Sequence, residues 1–329
     1  MLMLQLAVSD DRFIAWGEAA PDAAAGKRPV KTGGGWAFGS RPSPFDAGPA
    51  RLVAAIAEAV PGFKVRKGQR WEGFAWLPTL GGAPLASSPL VAPPPAKKGT
   101  TRLAAWGVSG LVLKPEELLD LLAAAAGVAV LAPGVAVGAT LASWSQALRF
   151  AAGLVVREQF LPGVDLAATP PRARWEPVIA GADAARLAQL ARALPAAARA
   201  LSKRDYQPPD LAPAAVLASF LDTVVDHLVR TATEQPAAPT IQRKGPKAKP
   251  VFDSVHDRWL HALHTADGAL RGDRQEVERL AESIRSWRRP IAAATAAPFR
   301  LCFRLEEPEA QGESWFVRYL LQASDDPSL

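Results

Sequence analysis

The sequence predicts an α+β fold with β-hairpin elements at both ends and a mainly helical middle. Three patterns carry this expectation. Short strand-like runs flank turn residues near both termini, apolar residues recur at helical spacing through the centre, and Gly, Pro and Asp punctuate the runs. Leu2 to Val8 and Arg12 to Trp16 read as a first hairpin across Ser9-Asp10-Asp11. Ala20 to Pro49 is a loop without periodicity, and Ala50 to Val60 is a short amphipathic helix ending at Pro61-Gly62. Trp71 to Leu80 and Leu103 to Leu113 read as strands separated by a Gly-Pro-Ser loop.

Lys114-Pro115-Glu116-Glu117 opens a helix, with proline at an early position and acids in the first turn. From there to about Thr233 the expectation is helical. Thr140 to Phe160 places Leu141, Trp144, Leu148, Ala151 and Val155 on one stripe, and Asp183 to Leu194 and Pro213 to Thr233 are further amphipathic helices. Residues 234–250 contain no apolar side chain larger than Ile241, so they read as a flexible basic linker. Two helices follow, Asp253 to His264 and Arg274 to Trp287. The expected divisions are therefore 1–113, 114–233, 234–250 and 251–329.

The last segment is the most informative. Phe299, Leu301, Phe303 and Leu305 alternate with Arg300, Cys302, Arg304 and Glu306, and Trp315, Val317, Tyr319 and Leu321 repeat the alternation. With Gly312 in the connector, the two runs read as an antiparallel hairpin with one apolar face. A lone hairpin is marginal in water, so this face needs cover, from the preceding helices or from strands beyond Leu329. The expectation is a chain that stops inside a domain.

The wording Pro-Phe-Arg-Leu-Cys-Phe-Arg-Leu-Glu-Glu-Pro (298–308), followed by Trp-Phe-Val-Arg-Tyr-Leu-Leu-Gln-Ala-Ser-Asp-Asp-Pro-Ser-Leu (315–329), resembles a known family. It is similar to the accessory region that precedes the motor in bacterial Snf-type DEAD/DEAH-box helicases of superfamily two. Arg174-Trp175-Glu176-Pro177, the Asp253 to His264 helix with Trp259, and Ser286-Trp287-Arg288-Arg289-Pro290 agree more loosely. The resemblance implies motor lobes in cis, absent from this chain, that bind ATP and magnesium and translocate on duplex DNA.

Composition bounds the alternatives. A hydrophobic fraction of 49% over 329 residues excludes a wholly disordered chain and suffices for sizeable cores. The net charge of +6 permits nucleic-acid or acidic partners. A single cysteine, Cys302, forms no internal disulfide, and the first residues lack a basic leader, so a reducing cytoplasmic location is expected. Leu121 to Phe150 carries no charge before Arg149, but Gly127, Pro133, Gly134 and Gly138 interrupt it. It reads as a buried helix, a Pro-Gly turn and a second helix, with no membrane partner expected.

Motifs for chemistry are missing from the chain. No phosphate-binding loop of the form G-x-x-x-x-G-K-[ST] occurs, Gly26-Lys27-Arg28 lacking both the upstream glycine and the hydroxyl residue, and there is no DEAD/DEAH box. His256, His261 and His264 share a predicted helix, but His256 lies about 140° around it from His261, so the three imidazoles do not converge on a metal. No catalytic residue, metal ligand or cofactor of this chain's own is expected.

The basic segments remain. Arg243, Lys244, Lys247 and Lys249 form a cationic arm, while Lys64, Arg66, Lys67 and Arg70 stand beside Trp71. Cations can hold phosphates while a neighbouring indole stacks on a base, and DNA is the partner that the helicase resemblance implies. The alternatives are solvated loops for the cations and a core position for Trp71. The function expected is an accessory role in a DNA-dependent ATPase, against a stand-alone interaction or scaffold protein.

Overall fold

The computed structural model describes residues 1–10, 12–21, 41–95, 99–233, 252, 254–296, 299–306 and 315–323. The chain is a mixed α+β protein with hairpins near both ends, as expected. β1 (Leu2–Ser9) and β2 (Arg12–Ala19) pair antiparallel, with Asp10 at a φ of 49° in the turn, a left-handed conformation that a short polar side chain tolerates. α1 (Gly48–Ala59) follows, then β3 (Arg70–Leu80), the two-residue β4 (Ala83–Pro84) and β5 (Arg102–Leu113).

α2 (Pro115–Ala124) begins where Pro115 and the acids predicted it, and the Lys114 amide donates to Glu117 Oε2 at 3.0 Å. The expected Pro-Gly turn after it is the tip of a small hairpin, β6 (Val130–Ala132) and β7 (Val135–Val137). Gly134, at a φ of 77°, supplies the reversal. α3 (Ala139–Val156) then matches the predicted stripe. The helical expectation for 114–233 is corrected again by a hairpin of β8 (Phe160–Asp165) and β9 (Arg172–Pro177). α4 (Ala182–Ala193), a 3-10 turn at Ala196–Arg199, β10 (Leu201–Ser202) and α5 (Pro213–Ala232) complete this stretch.

The predicted linker, 234–250, lies outside the described residues. α6 (Val255–Ala262) is capped by Ser254, whose hydroxyl accepts from the Asp257 amide at 3.1 Å. α7 (Arg274–Ala296) runs through Pro290 and past Trp287, where the sequence reading ends it. The alanines after Pro290 are strong helix formers, which favours the extension. β11 (Phe299–Glu306) and β12 (Phe316–Ala323) form the terminal hairpin.

Two compact units divide the chain, and each draws on separated segments. The first takes Met1–Ala151 and Leu190–Val224. Its sheet has the order β10-β3-β5-β2-β1-β7-β6, with β4 on β3. All neighbours on that path are antiparallel except β1 and β7. β1 is buried at every position, as an interior strand covered on both faces should be. One face gathers Ala7, Ile14, Trp16, Trp71, Trp106 and Val108 into a core. The other carries Phe13, whose ring meets Trp144 of α3 and Phe220 of α5 at centroid distances of 6.0 and 5.6 Å.

The second unit takes Ala152–Gln189 and Val225–Leu329. Trp259, Leu263, Leu270, Val277, Leu280 and Ile284 pack with Ala173 of β9. Arg230 ties the unit together. Its guanidinium pairs with Asp226 at 2.9 Å and donates to the carbonyls of Ala262, Thr265 and Ala173, while Asp226 Oδ1 accepts the Trp175 amide at 2.7 Å. Tertiary partners of this kind satisfy a charge held away from water.

Candidate functional site

Lys64, Arg66, Lys67 and Arg70 are exposed on the turn between α1 and β3, and no described carboxylate forms an ion pair with any of them. The turn is anchored from beneath. Gln69 is buried; its Oε1 accepts the Arg66 amide at 2.6 Å, and its Nε2 donates to Glu117 Oε2 at 2.6 Å. Glu117 in turn receives the Lys114 amide, so the start of α2 and the basic turn share one carboxylate. Four solvated cations on an anchored turn can meet phosphates with less ordering cost than four on a loose loop.

Trp71 is corrected. The sequence reading offered its indole as a stacking surface, but it is 3% exposed and belongs to the core. Gly73 makes this possible: a Cβ there would lie 2.5 Å from the indole Cη2, so the missing side chain on the same strand leaves the space the ring fills. Lys203 Nζ lies 4.8 Å from the ring centroid and donates to the Glu72 carbonyl. Burial, and then the Arg12 charge, hold its pKa below the usual lysine value, with Asp10 and Glu72 acting the other way. Arg12 and Lys203 are exposed cations that no local sequence pattern marked.

The other segments separate. Arg243, Lys244, Lys247 and Lys249 lie outside the described residues. His264 Nδ1 is 3.2 Å from the Thr233 hydroxyl and its ring meets the Trp175 edge, while His261 lies against Phe252. Segments of the looser resemblance meet in the second unit. Trp175 Nε1 donates to the Leu263 carbonyl, Trp259 Nε1 donates to the Gly163 carbonyl, and Glu176 pairs with both Arg174 and Arg288.

In the terminal hairpin the register sets Leu301 opposite Leu321, Phe303 opposite Tyr319 and Leu305 opposite Val317. All six side chains are exposed, from 48% for Val317 to 69% for Leu321. On the opposite face Arg304 faces Arg318 across the strands, and Glu306 pairs with both, at 3.8 and 3.0 Å. The acid compensates two like charges that the register sets side by side.

Sequence reading missed a cavity of about 540 Å³ in the first unit. A relay of hydrogen bonds runs along its wall. The Thr140 hydroxyl donates to Gln5 Oε1 at 2.6 Å, Gln5 Nε2 donates to Ser87 Oγ at 3.0 Å, and the Ser87 hydroxyl and amide both donate to Glu18 Oε2. Glu18 is 1% exposed, and its burial raises the carboxyl pKa against the lowering effect of Ser87. Among the described residues, four buried side-chain atoms have no hydrogen-bond partner: Trp16 Nε1, Glu18 Oε1, Trp76 Nε1 and Arg199 Nε. All four residues line this cavity. The relay joins positions 5, 18, 87 and 140, which only the sheet and the start of α3 bring together.

No protein-family model, curated protein or solved structure matches the chain. Among the described residues no helix is long and apolar enough to cross a membrane.

Proposed function

We propose that this chain is the amino-terminal accessory region of a Snf-type ATP-dependent DNA translocase, and that it places nucleic acid or a partner against motor lobes in cis. The observation that carries the reading is the uncovered apolar ladder of the terminal hairpin, in the stretch whose wording bears the resemblance. Six large apolar side chains in contiguous cross-strand pairs are more than the scattered exposure normal for a surface, and they call for a protein partner. A β domain joined to the motor is the partner the resemblance supplies. Supporting the nucleic-acid side are the exposed cations of the 64–70 turn, which form no ion pair among the described residues, and the Arg12 and Lys203 pair. ATP and magnesium belong to the motor lobes in this reading.

The test starts from the open reading frame that encodes these residues. Its complete product is purified, and DNA-stimulated phosphate release is compared with that of the Leu301→Ser, Phe303→Ser, Leu321→Ser variant. The expected result is a DNA-dependent ATPase that loses coupling when the ladder becomes polar. A product without motor motifs would favour the stand-alone interaction protein, and a motor indifferent to the triple change would remove the hairpin from the account.

A further inference from the structure

The first unit's cavity, at about 540 Å³, lies within the roughly 300–1,000 Å³ of small-molecule sites. Its surface is mainly carbon. Leu77 and Pro78 of β3, Leu103 of β5, Leu85 after β4, Pro195 before the 3-10 turn and Pro209 after β10 all line it. The prolines fix φ on three sides of the space, which resists collapse of the walls onto one another.

The polar side chains of the wall have little to offer a ligand. Gln5 bonds Thr140 through Oε1 and Ser87 through Nε2. The Thr140 hydroxyl also accepts the Leu6 amide at 2.9 Å, and the Ser87 hydroxyl is spent between Gln5 and Glu18. Trp16 Nε1, Trp76 Nε1, Glu18 Oε1 and Arg199 Nε are occluded, so they lie behind the cavity surface rather than on it. Arg199 donates from Nη1 to the Leu211 carbonyl at 2.7 Å.

The ligand follows from what this wall cannot do. A charged or strongly hydrogen-bonding molecule would give up water here and find the side-chain partners already taken. A hydrocarbon gives up no such bonds, and it gains by removing its own surface and that of the wall from water. Leu103 is 58% exposed, so apolar surface of this wall already stands in solvent. We propose that this cavity is a binding site for a small uncharged molecule with a ring-shaped hydrocarbon body, held by burial rather than by hydrogen bonds. The site rests on the first unit alone, whether or not the chain serves a motor.

The test uses N-phenyl-1-naphthylamine, an uncharged ring compound whose fluorescence rises when it leaves water. It is titrated into the complete gene product carrying Leu301→Ser, Phe303→Ser and Leu321→Ser, so that the apolar face of the hairpin does not compete. One molecule per chain should bind saturably, and naphthalene should displace it. Naphthalene-1-sulfonate and 1-naphthylmethylammonium should each displace it at least about tenfold less well than naphthalene, because each carries a charge that the wall does not solvate. Leu103→Asp and Ala196→Trp, the second filling the cavity from its lining, should each weaken binding about tenfold, the scale of one leucine side chain's burial. Both positions are exposed, so the core is left intact, and if circular dichroism shows one variant unfolded the other still decides.

Absence of saturable binding overturns the proposal. So does fluorescence that the unaltered chain gives and the hairpin variant loses, which would put the compound on the ladder. Displacement by either charged analogue as readily as by naphthalene also overturns it, the sulfonate by showing that Arg199 reaches the ligand. Binding that both wall variants leave unchanged removes the cavity from the account.

Discussion

Lys203 stands over Trp71, with its ammonium 4.8 Å from the ring centroid, so the cation that this indole meets belongs to the chain itself. Trp71→Ala should therefore act first on stability, with a loss of about 3–5 kcal/mol in denaturant unfolding. Lys203→Met should cost about 0.5–1 kcal/mol. Unchanged stability of Trp71→Ala together with weakened single-strand binding would return the indole to a nucleic-acid surface.

Gln69 links the basic turn to α2 through Glu117. Gln69→Ala removes one donor from a buried carboxylate and should destabilise the fold by about 1–3 kcal/mol. Trypsin should also cut faster after Lys64, Arg66 and Lys67, because the Arg66 amide loses its acceptor. Cleavage at the parental rate would show that the turn is held by something else.

Replacing Lys64, Arg66, Lys67 and Arg70 with alanine tests the exposed cations. On duplex DNA the log–log salt dependence of affinity should flatten by up to about 0.9 for each phosphate that the variant no longer neutralises, similarly for unrelated sequences. The same experiment on Arg243, Lys244, Lys247 and Lys249 tests the arm independently. A parental slope in either quadruple variant of the complete gene product excludes that group from the interface.

Burial raises the carboxyl pKa of both Glu18 and Asp46 above their ordinary values of 4.5 and 3.8, against opposing hydrogen bonds from Ser87 and from Ser109 and Gly48. Each folded group then binds its proton more tightly than the unfolded chain does. Stability from these groups is greatest below the ordinary values and falls as pH rises from there through the raised folded ones. Glu18→Gln should flatten this decline and gain stability at neutral pH relative to the parent. Urea midpoints across that range that fall as steeply in Glu18→Gln and Asp46→Asn as in the parent would contradict the assignment.

Local chemistry was readable from the sequence because local contacts carry it. Asp10 marked the first reversal, Pro115 and Glu117 marked the start of α2, and the alternation of Leu301, Phe303 and Leu305 set one face of β11 before any partner was known. β6 and β7 were not readable: three residues each are too few for a period, and β7 finds its place by parallel pairing with β1, more than 130 positions earlier. β8 was hidden for a related reason, since Pro162 and Gly163 interrupt any alternation, while the alternation of Arg172, Arg174 and Glu176 with Ala173 and Trp175 in β9 went unread beside it, and the hairpin gains its cover from α6 and α7.

The sequence by itself determined the α+β class, the hairpins near both ends and the exposed basic turn at 64–70, since each follows from spacing along one segment. Only the tertiary structure decided that Trp71 is core, because that depends on the space left by Gly73, on the strands that pack around the indole and on Lys203 arriving from 132 positions away. It also decided that Gln5, Glu18, Ser87 and Thr140 form one relay beside one cavity. Hydrogen bonds and burial act through distance in space, and no pattern of neighbours in a strand or helix encodes which distant residue will complete them.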